Sequence, residues 1–288
     1  MIRIILLFLL TSCVPKDSHN SEFLPGKKLS EIKEKKLSEV SGLACSIRNP
    51  GLLWAHNDRG NRPEVFLIDD KCDIKRIVVL DGIKNRDWED IAVGPGPDST
   101  KSYVYVGDIG DNDGVHQLKY IYRFEEPLVD PNDNKEKITE FETIVFRLPD
   151  SREMDSEALF IDAGTKDLYI VTKREQPVHI YQIRFSDSAK DTITAQEIGT
   201  LPVTQIVAAD LSASGQDLIM KNYSHIYHWH NSTGKPIAEL LKDKPVEVPY
   251  HPEPQGESLA WARDNSGFYT LSEVTKGQKS YLYFYERK

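Results

Sequence analysis

Five short segments recur along this chain at near-regular intervals, each a small or acidic residue leading into an apolar run. They read SGLA, EDIA, EALF, ADLS and ESLA and begin at residues 41, 89, 157, 209 and 257, so successive units are 48, 68, 52 and 48 residues long. Each head is followed by an apolar segment (GLLWAHND, SYVYVGDIGDN, DLYIVTKRE, DLIMKNY, GFYTLSEV). Then comes a shorter one with aromatic or aliphatic alternation (EVFLID, KYIYRFEEP, HIYQIRF, HIYHWH, SYLYFYE). Alternation with a period of two is the signature of strands. Repeats of this length, four strands to a unit, are those of propeller blades. Four units run on into a fourth strand, seen as IKRIVVL, ITEFETIVFRL, TITAQEIGTL and IAELLKD, whereas the fifth stops at Lys288 without one.

The missing strand matters because an open ring leaves two unpaired sheet edges. KLSEIKEKKL, residues 28–37, stands ahead of the first unit and supplies the outer strand of the last blade in this reading. The competing reading makes it a short solvated helix or more tether. The expectation is therefore all-β: a five-bladed β-propeller closed by an N-terminal strand. Six blades would follow if the long second unit, with VDPNDNKEK inside it, hides extra strands. Trp54, Tyr105, Tyr169 and Phe268 fall at similar points of their second strands and read as packing between blades.

In a propeller the start of each innermost strand and the end of each second strand meet at one mouth of the central channel. The strand heads bring Glu39, Asp87, Glu89, Asp90, Asp155, Glu157, Asp210 and Glu257 there. The second-strand ends bring His56, Asn57, Asp58, Asp108, Asp111, Asn112, Lys173, Arg174, Glu175, Lys221, Asn222 and Glu273. Trp88, between Asp87 and Glu89, either packs or stacks on a ligand such as a sugar. Carboxylates gathered in this way raise one another's pKa. A cation neutralises them, or they bind backbone amides of neighbouring blades, or water separates them. Calcium suits the first case, since it takes six to eight oxygen ligands. Glu89, Glu157, Asp210 and Glu257 are the candidate ligands. GDIGDNDG is not an EF-hand loop, because Ile109 and Tyr120 occupy positions that need acids. His228 and His230 share a strand face, which suits either a transition-metal pair or a plain exposed face.

The N-terminus sets the compartment. MIRIILLFLLTSC has one arginine, an apolar run from Ile4 to Leu10 and small residues ending at Cys13, the layout of a signal peptide. LTSC resembles a bacterial lipobox, which implies a lipidated Cys13 as the mature first residue. With no acid directly after the cysteine, the resemblance implies a lipid-anchored protein of the bacterial outer membrane. The expected organisation is a signal peptide over 1–13, a tether over 14–27 and one propeller domain over 28–288. A net charge of -9 excludes nucleic-acid partners. Cys45 and Cys72 then remain, either as a disulfide or as two buried thiols.

SEVSGLACSIRNPGLLWAHND, DWEDIA, GDIGDN and DSEAL resemble a family of bacterial secreted and lipoprotein β-propellers of unassigned activity. SGLA with W.HND, and the E.L strand heads, are also similar to esterase-like phytase-type and gluconolactonase-type propellers, whose central sites hold calcium. That likeness implies ligands at Glu89, Glu157 and Glu257, with unit four departing at Ala209. The leading functional expectation is a binding or assembly module that presents its acidic face to a protein, glycan or small-molecule ligand. The alternative is a calcium-dependent hydrolase of an ester, lactone or phosphoester at the channel mouth, with Asp87 or Glu273 as general base and Lys173 or Arg174 meeting an anionic group. Paired carboxylates also admit glycoside hydrolysis.

Overall fold

The computed structural model describes residues 21–288 except 131, 188 and 189; the expected signal peptide, Cys13 and the expected tether over 14–20 lie outside the described residues. Five sheets stand around a common axis. Blade one runs, from the axis outward, Val40–Cys45, Leu53–Asn57, Glu64–Ile68 and Ile74–Leu80. Blade two is Trp88–Pro95, Ser102–Asp108, Lys119–Glu125 and Glu142–Arg147. Blade three is Ser156–Ile161, Leu168–Thr172, Val178–Ile183 and Gln196–Leu201. Blade four is Ile206–Leu211, Asp217–Asn222, Ile226–His230 and Val246–Val248. Blade five is Ser258–Trp261, Gly267–Leu271 and Tyr281–Glu286, completed by Lys27–Glu31 from the N-terminus.

The ring is closed. Lys27–Glu31 pairs antiparallel with Tyr281–Glu286, so the N-terminal strand latches the last blade as its position in the sequence predicts. Pairing begins ahead of residue 28, since Phe23 also bridges Arg287. The long second unit builds no sixth blade. Its extra residues form Lys135–Ile138, which returns to lie parallel along the outer edge of blade one. Ile193–Thr194 does the same for blade two. The expected fourth strand at IAELLKD is corrected: Ile237–Leu240 is a single helical turn behind Pro236, and Val246–Val248 takes the edge position.

Apolar residues on both faces of each sheet assemble into five cores, one between each pair of adjacent blades. Five interfaces for five blades require closure, and the core of Leu43, Ala55, Ala260 and Leu271 is the one that joins blade five to blade one. Trp54, Tyr105, Tyr169 and Phe268 are buried in these cores. Of the two readings for Cys45 and Cys72, the structure has the second: both are buried free thiols. Cys45 ends the innermost strand and Cys72 lies in the turn beyond the third. Two strand spacings of about 4.8 Å exceed the Cα separation a disulfide tolerates.

Phe23 is the anchor of the latch. Its ring meets Phe268 at 5.2 Å, His228 at 5.3 Å and Trp261 at 5.8 Å between centroids. Phe23→Ala should cost about 3–5 kcal/mol in urea denaturation. Wild-type stability in that variant would mean the N-terminal strand does not hold the ring.

Candidate functional site at the channel mouth

The register of the innermost strands explains how glutamates reach the channel. In four blades the pairing of the first two strands slips by one residue near the mouth, between Val40 and Gly42, Trp88 and Asp90, Ser156 and Ala158, and Ile206 and Ala208. Each slip is a β-bulge, which re-aims the extra residue. In blade five, Ser258 pairs with Leu271 and the Glu273 N–H donates to the Gln255 carbonyl, putting Glu257 in the same place. The bulge positions are thus Ser41, Glu89, Glu157, Val207 and Glu257. The register moves the fourth blade's counterpart from Ala209, where sequence alignment puts it, to Val207.

The second-strand ends form a second tier in the same register: Asp58, Ile109, Lys173, Tyr223 and Glu273. Ile109 turns into the core between blades two and three. The other four converge with the glutamates. Lys173 Nζ bonds Glu157 Oε1 and lies 3.8 Å from Glu257 Oε1, and the Tyr223 hydroxyl donates to Glu257 Oε1 at 2.5 Å. Oxygens of Asp58, Asp87 and Glu89 lie within 4.8 Å of one another, as do those of Glu89, Asp155 and Glu157. Glycine at 110 belongs to the same construction, because a methyl there would collide with Glu89 Oε1 and Asp87 Oδ2.

The remaining acids are staples. Asp90 accepts the Ile91 N–H at 2.8 Å and the blade-three Leu159 N–H at 2.9 Å. Asp210 accepts the blade-five Trp261 N–H at 2.7 Å, so it does not stand with Glu89, Glu157 and Glu257. Asp155 takes the Asp111 N–H at 2.8 Å and Arg174 Nε at 2.8 Å. Asp111 in turn caps its own loop through the Val115 and His116 N–H groups, which accounts for GDIGDNDG. Asp108 is buried against Arg86, the Tyr122 hydroxyl and the Asp87 N–H.

Several expected ligand-facing residues turn inward instead. Trp88 is fully buried, since a side chain next to the bulge residue Glu89 points away from it, and His56 is fully buried edge-to-face against it at 5.7 Å. Burial holds the His56 imidazole down at about 4. Lys221 is also fully buried, donating to the Gly256 carbonyl at 2.5 Å, and burial lowers its pKa to about 8. Asn57 donates to the Lys36 carbonyl and Asn222 caps its own turn. Asn112 stays exposed and accepts from Arg174. His228 and His230 both contact Asp217 Oδ1, which Arg287 also holds; a guanidinium in that place disfavours a metal pair. Tyr223 is a mouth residue the sequence reading missed; its place one residue past Asn222, matching Lys173 after Thr172, was the available signal.

Charge is unbalanced across the mouth. Burial, then Glu157, Asp58, Asp87 and Glu257, push the Glu89 carboxyl well above its ordinary range. Burial also raises Glu157, against the pull of Lys173. Although burial opposes it, Glu157 and Glu257 hold the Lys173 ammonium charged. Burial and neighbouring acids push Glu273 up to about 8 and Asp58 to about 6. One lysine therefore serves two of the three glutamates, and Glu89 has no hydrogen-bond donor among the described residues. A surface groove of about 310 Å³ between blades one and five, lined by Cys45, Pro50 and Tyr269, contains none of these carboxylates.

No known family profile matches the chain, and a search of curated proteins returns no match. Among solved structures, the chain is similar to Kuenenia stuttgartiensis hydrazine synthase, with 12% identity over 89% of this chain and 97% of that one and a TM-score of 0.45. It is also similar to a chain of a nidogen/laminin complex, with 9% identity over 87% and 84% and a TM-score of 0.47.

Two outcomes follow from the charges. Glu273 and Asp58 take up protons on folding, so stability falls as pH rises from their ordinary values toward their raised ones. In chelator, melting should drop between pH 5 and pH 8 by thermal scan, and Glu273→Gln should flatten that slope; a flat wild-type profile would contradict the assignment. Lys173→Met should cost about 3–5 kcal/mol at pH 8, as expected when one partner of a buried pair is removed. The loss should shrink toward lower pH, as Glu157, whose carboxyl burial raises, takes up a proton.

Proposed function

We propose that this chain is a lipid-anchored binding or assembly module of the bacterial outer membrane, which holds a hard divalent cation, calcium above others, in its acidic mouth and offers that face to a protein, glycan or small-molecule partner. Glu89 carries the reading: a buried carboxylate with no donor among the described residues, shared between two clusters of three carboxylates. Asp155 and Glu157 already bind Arg174 and Lys173. Asp58, Asp87 and Glu89 are the freer set, and Asp87 Oδ1 is buried without a partner. All-oxygen ligands without histidine or cysteine suit calcium rather than zinc. The β-propeller fold fits a binding role, and three large apolar residues exposed on this face, Val115, Leu118 and Val274, give a partner something to bury.

Calorimetric titration with calcium should give saturable binding that Glu89→Gln weakens roughly tenfold or more, while Glu140→Gln, exposed and remote, leaves it unchanged. Absence of heat, with melting identical in calcium and chelator, would remove the reading's support.

Hydrolysis of an ester, lactone or phosphoester is the second reading, favoured by Glu273. A carboxyl held near pH 8 beside a charged lysine is suited to donate a proton. A panel of such substrates, assayed with calcium, should then show turnover that Glu273→Gln abolishes; no turnover by the wild type would leave binding alone.

A further inference from the structure

The described chain starts at the face opposite the mouth. Glu257 opens the innermost strand of blade five at the mouth, and the sheet carries the Lys27 end of the latch to the other side, where Lys27 pairs with Phe284 and Phe23 with Arg287. The Lys288 N–H bonds the Glu22 carbonyl there, beside the Arg287 N–H to the Ser266 carbonyl in the turn that closes the far end of blade five. Residues 14–21 extend at most about 28 Å. The eight-residue innermost strand Trp88–Pro95 alone covers about 23 Å of the distance between faces. A tether that climbed the blade to bring the mouth down to a bilayer would use nearly its full length and leave none for the loops that overhang the mouth.

We infer that the face around Glu22, Leu24 and the Val246 edge of blade four is the membrane-facing surface, and that the acidic mouth is held outward, away from the lipid bilayer that anchors the chain. This rests on the lipid-anchored part of the proposed function. Leu24 and Val246 are exposed at 39% and 59%, and both lie next to where the tether leaves. Val246, Lys244 and Glu22 line one groove there. An apolar edge with a lysine beside it suits the interfacial region of a bilayer. A partner for the mouth must then approach from the aqueous side.

Full-length lipidated protein carrying a fluorophore at Lys244→Cys or at Val274→Cys, reconstituted in vesicles containing headgroup spin-labelled lipid, tests this directly. Cys45 and Cys72 are buried and leave the introduced thiol as the reactive one. Quenching several-fold stronger at 244 than at 274 is the expected result. Equal quenching, or stronger quenching at 274, overturns the orientation. Vesicle flotation of wild type and Cys13→Ala separates the two premises: if the wild type does not float, or the variant floats as well, the lipid anchor itself is wrong, independently of which label is quenched.

Discussion

Like charges around a narrow ring are the constraint on which the rest of this structure depends. A propeller of five blades brings the starts of five strands close together, and this chain puts acids at most of those starts. Carboxylates so close cannot all ionise in a desolvated channel. The fold divides them. Asp90 and Asp210 spend their charge on backbone N–H groups of neighbouring blades, where an aspartate is short enough to reach along the channel wall. The glutamates are aimed into the mouth, Glu89 and Glu157 from bulges, and Glu157 and Glu257 share one ammonium from Lys173. Stapling and facing the mouth are thus two uses of one residue class, separated at Glu89 and Asp90 by a single position along the strand.

That division needs a rigid ring, and rigidity follows from closure. Each blade buries apolar side chains against both neighbours, so removal of the contact between blades five and one would expose two core faces and two strand edges at once. Phe23 and Lys27–Glu31 prevent this. The same latch places the first described residues at the face opposite the mouth, which ties the mechanical device that closes the ring to the orientation we infer for the mouth.

Much of the architecture was legible because propeller blades repeat. The unit spacing, the alternation in HIYQIRF or SYLYFYE and the absent last strand led to five blades and a latch. Where the reading failed, local pattern had been overruled by register. IAELLKD looks like a strand but follows Pro236 and turns as a helix, while the short VEV beyond it pairs. Ala209 aligned by its following aspartate, yet the bulge falls at Val207, and no periodicity reveals a bulge in advance. Trp88 sits beside Glu89 but points into the core, because one residue along a strand reverses the side chain, and His56 packs against it. Tyr223 and Gly110 carry no motif at all; their roles come from the neighbours that the ring brings to them.

Anomalous diffraction from a crystal of the protein soaked in a calcium-site lanthanide such as terbium tests the central claim most directly. The account predicts one strong peak bordered by Asp58, Asp87 and Glu89, with Lys173 still bound to Glu157. No peak at the mouth, or a peak between Glu157 and Glu257 with Lys173 displaced, would contradict it.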